Sequence, residues 1–176
     1  VLGDGDGRFL ARLMRQNPQL RADAVDTSEA MLALLREHCR MASPDADRRL
    51  TTHRADAVEF VSQPAPTPAC DLAATHFFLD CLTQAEVEAL AHGVQARLTD
   101  GALWVVSDFC VPAGAMRLPA KLLVRGLYLA FRILTGLRVD RLPDHAAALS
   151  GAGFLLNDRY ESFCGFLFSE LWRRGG

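Results

Sequence analysis

Val1-Leu2-Gly3-Asp4-Gly5-Asp6-Gly7-Arg8-Phe9 opens the chain, and its reading decides the fold. An apolar pair running into three glycines within five residues reads as the end of a strand entering a tight turn. From Arg8 to Gln16 the residues Phe9, Leu10, Leu13 and Met14 make an apolar stripe at helical spacing, and Asn17-Pro18 stops it. A glycine turn between strand and helix lets backbone N–H groups approach a ligand that a Cβ would exclude. The helix N-terminus adds partial positive charge there.

Working outward, Ala22 to Asp26 is a short apolar strand ending in an acid, nineteen residues after Gly7. A carboxylate there lies over the crevice of an open α/β sheet, where it can accept from both hydroxyls of a ribose; as a bare residue it could equally cap a helix. Ser28 caps the next helix, with Met31, Leu34, Leu35 and Cys39 as its expected buried stripe. Thr52 to Asp56 is a weak third strand, Ser62 to Pro68 a proline-rich loop, and Leu72 to Thr75 a fourth strand. Thr83-Gln84-Ala85-Glu86 is a capping box for a helix carrying Val87, Leu90, Val94 and Leu98. Asp100-Gly101 turns into Leu103-Trp104-Val105-Val106, an apolar run suited to a strand buried on both faces. A short helix after Asp144 precedes Phe154–Tyr160 and Gly165–Trp172, read as a terminal antiparallel pair. The alternation predicts a doubly wound α/β fold with a mainly parallel seven-stranded sheet and an antiparallel C-terminal strand pair.

The 176 residues, half of them hydrophobic, suit one domain spanning 1–176. A net charge of −2 lacks the basic footprint of a nucleic-acid binder. Five scattered cysteines without a Cys-x-x-Cys pair argue for a reducing compartment, the cytoplasm, and against a structural zinc or a disulfide framework. The histidines show no metal-ligand spacing, so no metal is expected. The chain starts without Met inside an apolar pair, which reads as a domain whose N-terminal helices lie outside this sequence.

Spacing separates two nucleoside ligands. A dinucleotide fingerprint needs a third glycine where Arg8 stands, and Asp4 and Asp6 would oppose a pyrophosphate. A cationic sulfonium with an ammonium group suits those acids better. The opening run, together with Ala24-Val25-Asp26-Thr27-Ser28-Glu29-Ala30-Met31-Leu32, resembles the first two motifs of class I S-adenosylmethionine-dependent methyltransferases, in the ubiquinone/menaquinone-type small-molecule branch. The resemblance continues through Arg54-Ala55-Asp56-Ala57 and Asp71-Leu72-Ala73-Ala74-Thr75-His76-Phe77-Phe78-Leu79.

It implies a Rossmann-like methyltransferase fold, S-adenosylmethionine as cofactor, and methyl transfer to an O, N or C nucleophile of a small molecule, a hydrophobic acceptor included. Gly3, Gly5 and Gly7 would hug the methionine portion, and Asp26 would chelate the ribose. Thr27 and Met31 would flank the adenine, with Asp56 and the N–H of Ala57 meeting its edge. Thr75 and His76 would border the methionine moiety and the methyl group. The family pattern has an acid two residues before the first glycine, where this chain has Val1; Asp4 or Asp6 would then meet the ammonium.

For acid–base work the candidates are His76 and Asp80, four residues apart after the fourth strand. The sulfonium is an excellent leaving group, so alignment alone could carry much of the rate. Phe77 and Phe78 either line the acceptor pocket or pack beneath it. Met116 to Leu137, apolar but broken by Lys121, Arg125 and Arg132, is no membrane span. It reads first as a lid-like helical insertion over 112–142, next as a core helix, and last as a lipid-facing one. The alternatives are an NAD(P)-dependent oxidoreductase and a non-catalytic S-adenosylmethionine-binding module. Oligomeric state is not legible.

Overall fold

The computed structural model describes residues 1–64, 69–109, 143–162 and 167–176. The expected lid over 112–142, and with it the 116–137 stretch, lies outside the described residues. Helix α1 (Arg8–Gln16) leads to β1 (Ala22–Asp26), α2 (Glu29–Ala42), the short α3 (Ala46–Arg49) and β2 (Leu50–Arg54). Then come α4 (Ala57–Ser62), β3 (Cys70–His76), a single 3₁₀ turn (Leu79–Cys81), α5 (Gln84–Arg97) and β4 (Leu98–Phe109). Helix α6 (His145–Gly151) precedes β5 (Phe154–Ser162) and β6 (Leu167–Arg174).

Six strands are described, in two sheets, rather than one sheet of seven. Strands β1 and β2 pair in parallel. The second sheet runs β3-β4-β6-β5, with β3 and β4 parallel and the other two pairs antiparallel. The expected antiparallel C-terminal pair is therefore present as β5 and β6. Leu2 stands between the sheets, bridging in parallel to Val25 of β1 and Thr75 of β3. Its N–H donates to Ala74 O at 3.0 Å, and the Gly3 N–H donates to Val25 O at 3.0 Å.

Alternate residues of β1 serve opposite faces, as a pleated strand requires. Ala24 joins Leu10, Met14, Leu35 and Cys39 under α1 and α2. Val25 joins Val87, Leu90, Trp104, Leu149 and Phe154, with α4, α5 and α6. The Trp104 and Phe154 rings meet edge-to-face at 5.3 Å, a geometry worth about 0.5–1.5 kcal/mol beyond burial. Helices thus cover both faces, as the doubly wound reading requires.

Local departures have physical causes. In α2 the buried stripe is Leu32, Leu35 and Cys39, while Leu34 is 40% exposed. A residue adjacent to Leu35 is turned about 100° away around the helix, whereas one three earlier shares its face. Leu98 starts β4 instead of ending α5. Asp100-Gly101 is a bulge inside β4, which advances five residues from Leu98 to Leu103 while β3 advances two. Gly101 supplies the left-handed φ of 73°. Strand β2 ends at Arg54, before the expected Asp56, because Asp56 caps α4. The Thr83–Glu86 capping box forms in full.

Candidate functional site

Parallel strands end together, so the glycine turn after Leu2, Asp26 at the end of β1, the turn after β2 and His76 at the end of β3 share one edge of the sheet. That edge is where an open α/β sheet forms its ligand crevice. The glycine turn closes on the Gly7 N–H, which donates to Asp4 O at 3.2 Å.

All three glycines have left-handed φ, of 66°, 59° and 77°, but for different reasons. A Cβ on Gly3 would sit 2.3 Å from the Phe78 ring, and one on Gly7 2.4 Å from Leu35 Cγ. Those two are compelled by packing. A Cβ on Gly5 would meet nothing within 4 Å, so its bare backbone faces open space. Of the three, Gly5 is the one placed to admit a ligand against its main chain.

The acids of the turn are engaged differently. Asp4 Oδ2 accepts the Leu10 N–H at 3.2 Å, satisfying one of the free donors at the start of α1. Burial pushes its carboxyl up to about 6, even though that hydrogen bond pulls the other way. Asp6 pairs with Arg8 at 2.7 Å, and its carbonyl accepts from His38 Nδ1 at 2.8 Å. That contact requires the proton on Nδ1.

Asp26 does not cap α2. Its Oδ1 accepts the Ser28 N–H at 2.8 Å, and Ser28 Oγ takes the Met31 N–H as the cap. The second carboxylate oxygen of Asp26 has no partner among the described residues. Thr27 is exposed beside it, and Met31 is half-buried in the first turn of α2. Asp56 is exposed and caps α4 through Glu59 N–H at 3.0 Å; Ala57 is buried in the first turn of α4.

At the end of β3 two neighbours diverge. The Thr75 side chain is buried, and its Oγ1 accepts from Trp104 Nε1 at 3.2 Å. It therefore faces the core, not the crevice, leaving only its main chain near a ligand. The His76 ring lies 4.0 Å from the Phe9 ring, and its buried Nε2 has no hydrogen-bond partner among the described residues. Burial lowers His76 to about 4, so the imidazole is neutral at pH 7.

Phe77 follows with a left-handed φ of 51°, a conformation that costs a non-glycine residue about 1 kcal/mol or more. It is 46% exposed. Asp80 donates its N–H to Asp108 Oδ2 at 3.1 Å and accepts from Cys81 Sγ. Asp108, buried near the end of β4, was not among the residues read from the sequence, and Phe9 was read only as part of the apolar stripe of α1, not as a neighbour of the site. Asp108 had a signal: it closes β4 at the same edge where Asp26 closes β1. Among the described residues no three His, Cys, Asp or Glu side chains gather as metal ligands.

The residues fit an adenosyl sulfonium compound on two counts, the open space over Gly5 and the unengaged Asp26 oxygen in the next strand-end position. The comparisons with known proteins bear on the family and the fold. The chain is 32% identical over 89 residues to polyamine aminopropyltransferase 2 of Bacillus cereus, covering 43% of this chain and 24% of that protein. Its fold is similar to an O-methyltransferase family 2 protein from Planctomyces limnophilus in complex with apigenin (TM-score 0.72, 16% identity, 98% of this chain and 49% of that one). It is also similar to the mitomycin 7-O-methyltransferase MmcR (TM-score 0.70, 18% identity, 99% and 48%). This chain thus spans about half the length of these solved structures and a quarter of the aminopropyltransferase. No described helix is long and apolar enough to cross a membrane. A family profile described as a methyltransferase domain matches residues 1–101, more than half of the sequence, and the chain belongs to that methyltransferase-domain family.

Proposed function

We propose that this chain binds S-adenosylmethionine and transfers its methyl group to an O, N or C nucleophile of a small molecule, within the ubiquinone/menaquinone-type branch. The single domain over 1–176 works in the cytoplasm, and Val1-Leu2 ends a further strand of its seven-stranded sheet. The observation that carries the reading is the bare backbone at Gly5, φ 59°, with open space above it, at the same sheet edge as an Asp26 oxygen that has no partner among the described residues.

When bound, the cofactor supplies an electrophilic methyl on a sulfonium that leaves readily. The turn Gly3–Gly7 offers its main chain to the methionine portion, and Asp26 accepts from the ribose hydroxyls. Thr27 and Met31 flank the adenine, while Asp56 and the Ala57 N–H address its edge. Asp4 answers the ammonium, since Asp6 is already neutralised by Arg8. His76 presents a neutral ring at the methyl end; with its basicity lowered it orients an acceptor proton more than it removes one. Asp80 holds the acceptor-side turn. In-line positioning supplies most of the rate on this reading.

Calorimetry on full-length protein with S-adenosylmethionine, its demethylated product, NAD and NADP tests it. The first two bind, and Asp26→Ala weakens them about tenfold or more, the loss of charge-assisted hydrogen bonds worth about 1.5–3 kcal/mol each. Uptake of NAD or NADP alone refutes it in favour of an oxidoreductase. Binding without methyl transfer to any acceptor marks a non-catalytic module.

A further inference from the structure

A groove of about 320 Å³ lies between α1 and α2, outside the ligand crevice. Arg8, Arg12 and Arg15 line one side at helical spacings of four and three, so all three guanidinium groups share a face of α1. Ala11, His38 and the 69%-exposed Met41 complete its floor and far wall. Arg8 pairs with Asp6, whereas Arg12 and Arg15 make no ion pair among the described residues. No carboxylate lines the groove. Like charges at these spacings repel by a few tenths of a kcal/mol each; Arg15, in the last turn of α1, is favoured there by the helix dipole, and Arg8 is paired with Asp6, which leaves Arg12 without a local stabilising role among the described residues.

We propose that the α1–α2 groove docks an acidic amphipathic segment of a partner protein. Its carboxylates would meet Arg12 and Arg15, and an apolar side chain would cover Met41 and Ala11. Charge complementarity selects the sign. The apolar residues of the floor, Ala11, Met41 and Ala42, favour a peptide that brings an apolar side chain over a nucleic acid, which would bring only phosphates and bases. One exposed methionine is too little apolar area for a lipid surface. The groove also touches the glycine turn from behind, because Arg8 and His38 both bond Asp6. A partner carboxylate that draws Arg8 away loosens that turn and weakens cofactor binding. This coupling rests on the proposed cofactor reading; the docking does not.

The probe is a fluorescently labelled helical peptide with glutamates four residues apart and leucines between, titrated against the full chain by anisotropy. Binding falls about tenfold in the double variant Arg12→Glu/Arg15→Glu and steeply with salt, and a lysine-for-glutamate peptide does not bind. Both substituted sites are exposed, and unchanged circular dichroism and Tm establish that the variant is folded. Equal binding by parent and folded variant overturns the proposal. So does preferential binding of an RNA homopolymer or phosphatidylserine vesicles at the same arginines. Retained peptide binding with no cofactor uptake would sink the cofactor reading while leaving the docking in place.

Discussion

Replacing Asp4 with Asn separates what the glycine turn does for folding from what it does for a ligand. Burial raises this carboxyl from about 3.8 to about 6, so its charged form is disfavoured in the native state. At about 1.4 kcal/mol per pH unit, the ionised side chain destabilises the fold by at most about 3 kcal/mol above pH 6. Partial exposure reduces this to about 1–2 kcal/mol. The native state holds the proton more tightly than the unfolded chain, so wild-type stability falls as pH rises from about 4 through about 6. Asn keeps an oxygen for the Leu10 N–H and carries no charge, which removes the cost. Urea denaturation of both proteins from pH 4 to pH 8 reads the difference. Asp4→Asn is the more stable by about 1–2 kcal/mol at pH 8, and the gap shrinks to well under 1 kcal/mol near pH 4. Taking the difference cancels the other titrating groups. A gap of equal size at both pH values would refute the reasoning. The same variant binds S-adenosylmethionine more weakly if Asp4 meets the ammonium, so stability and affinity move in opposite directions.

Gly7→Ala drives a Cβ into Leu35 on a left-handed backbone and lowers stability by about 2 kcal/mol or more, whereas Gly5→Ala lowers it by only about 1 kcal/mol yet blocks the ligand. Denaturation and calorimetry on the pair tell these apart, and equal losses in both assays would contradict the assignment. Glu170 is buried, accepting from His145 at 2.9 Å, Trp172 at 2.8 Å and Arg159 at 2.6 Å. Glu170→Ala takes the acceptor from His145 and Trp172, while Arg159 keeps Glu161, and costs about 2–3 kcal/mol, read as a fall in Tm, with Gln recovering part of it. Burial raises the thiols of Cys39 to about 11 and Cys81 to about 12, so iodoacetamide at pH 8 leaves both largely unmodified in the folded protein; rapid labelling of Cys81 by peptide mapping would count against its placement. His76, lowered to about 4, gains its proton only below the usual range, and its stabilising neutrality is lost as pH falls from 6.5 towards 4; an NMR titration midpoint near 6.5 would contradict its burial.

What could be read from the amino acids was whatever has a local cause. Helix α1 needs only the apolar spacing after Gly7 and the Asn17-Pro18 stop, and it spans Arg8–Gln16 as read. The Thr83–Glu86 box marks the start of α5 because both partners lie within one turn. Legibility failed where tertiary packing decides. Leu35 and Cys39 face inward as read, but whether Leu32 or Leu34 joins them depends on which side of α2 meets the sheet, which an apolar run conceals. The bulge at Asp100-Gly101 reads locally as a turn, and only the parallel pairing with β3 keeps it inside a strand. In the candidate site, the glycines and Asp26 announced themselves by spacing. That Gly3 and Gly7 answer to Phe78 and Leu35, or that Thr75 turns inward to Trp104, follows from contacts distant in sequence.

The position of Leu2 has a mechanical consequence. Main-chain hydrogen bonds from Leu2 and Gly3 stitch β1 to β3, so the ligand turn springs from the seam where both sheets meet. Any tightening of that turn around a guest pulls on the two sides together, because Leu2 bonds Ala74 of β3 while Gly3 bonds Val25 of β1. Occupancy of the crevice should therefore be felt as slower amide exchange on both flanks at once, at Ala24–Asp26 and at Ala74–His76, before it is felt anywhere else in the molecule.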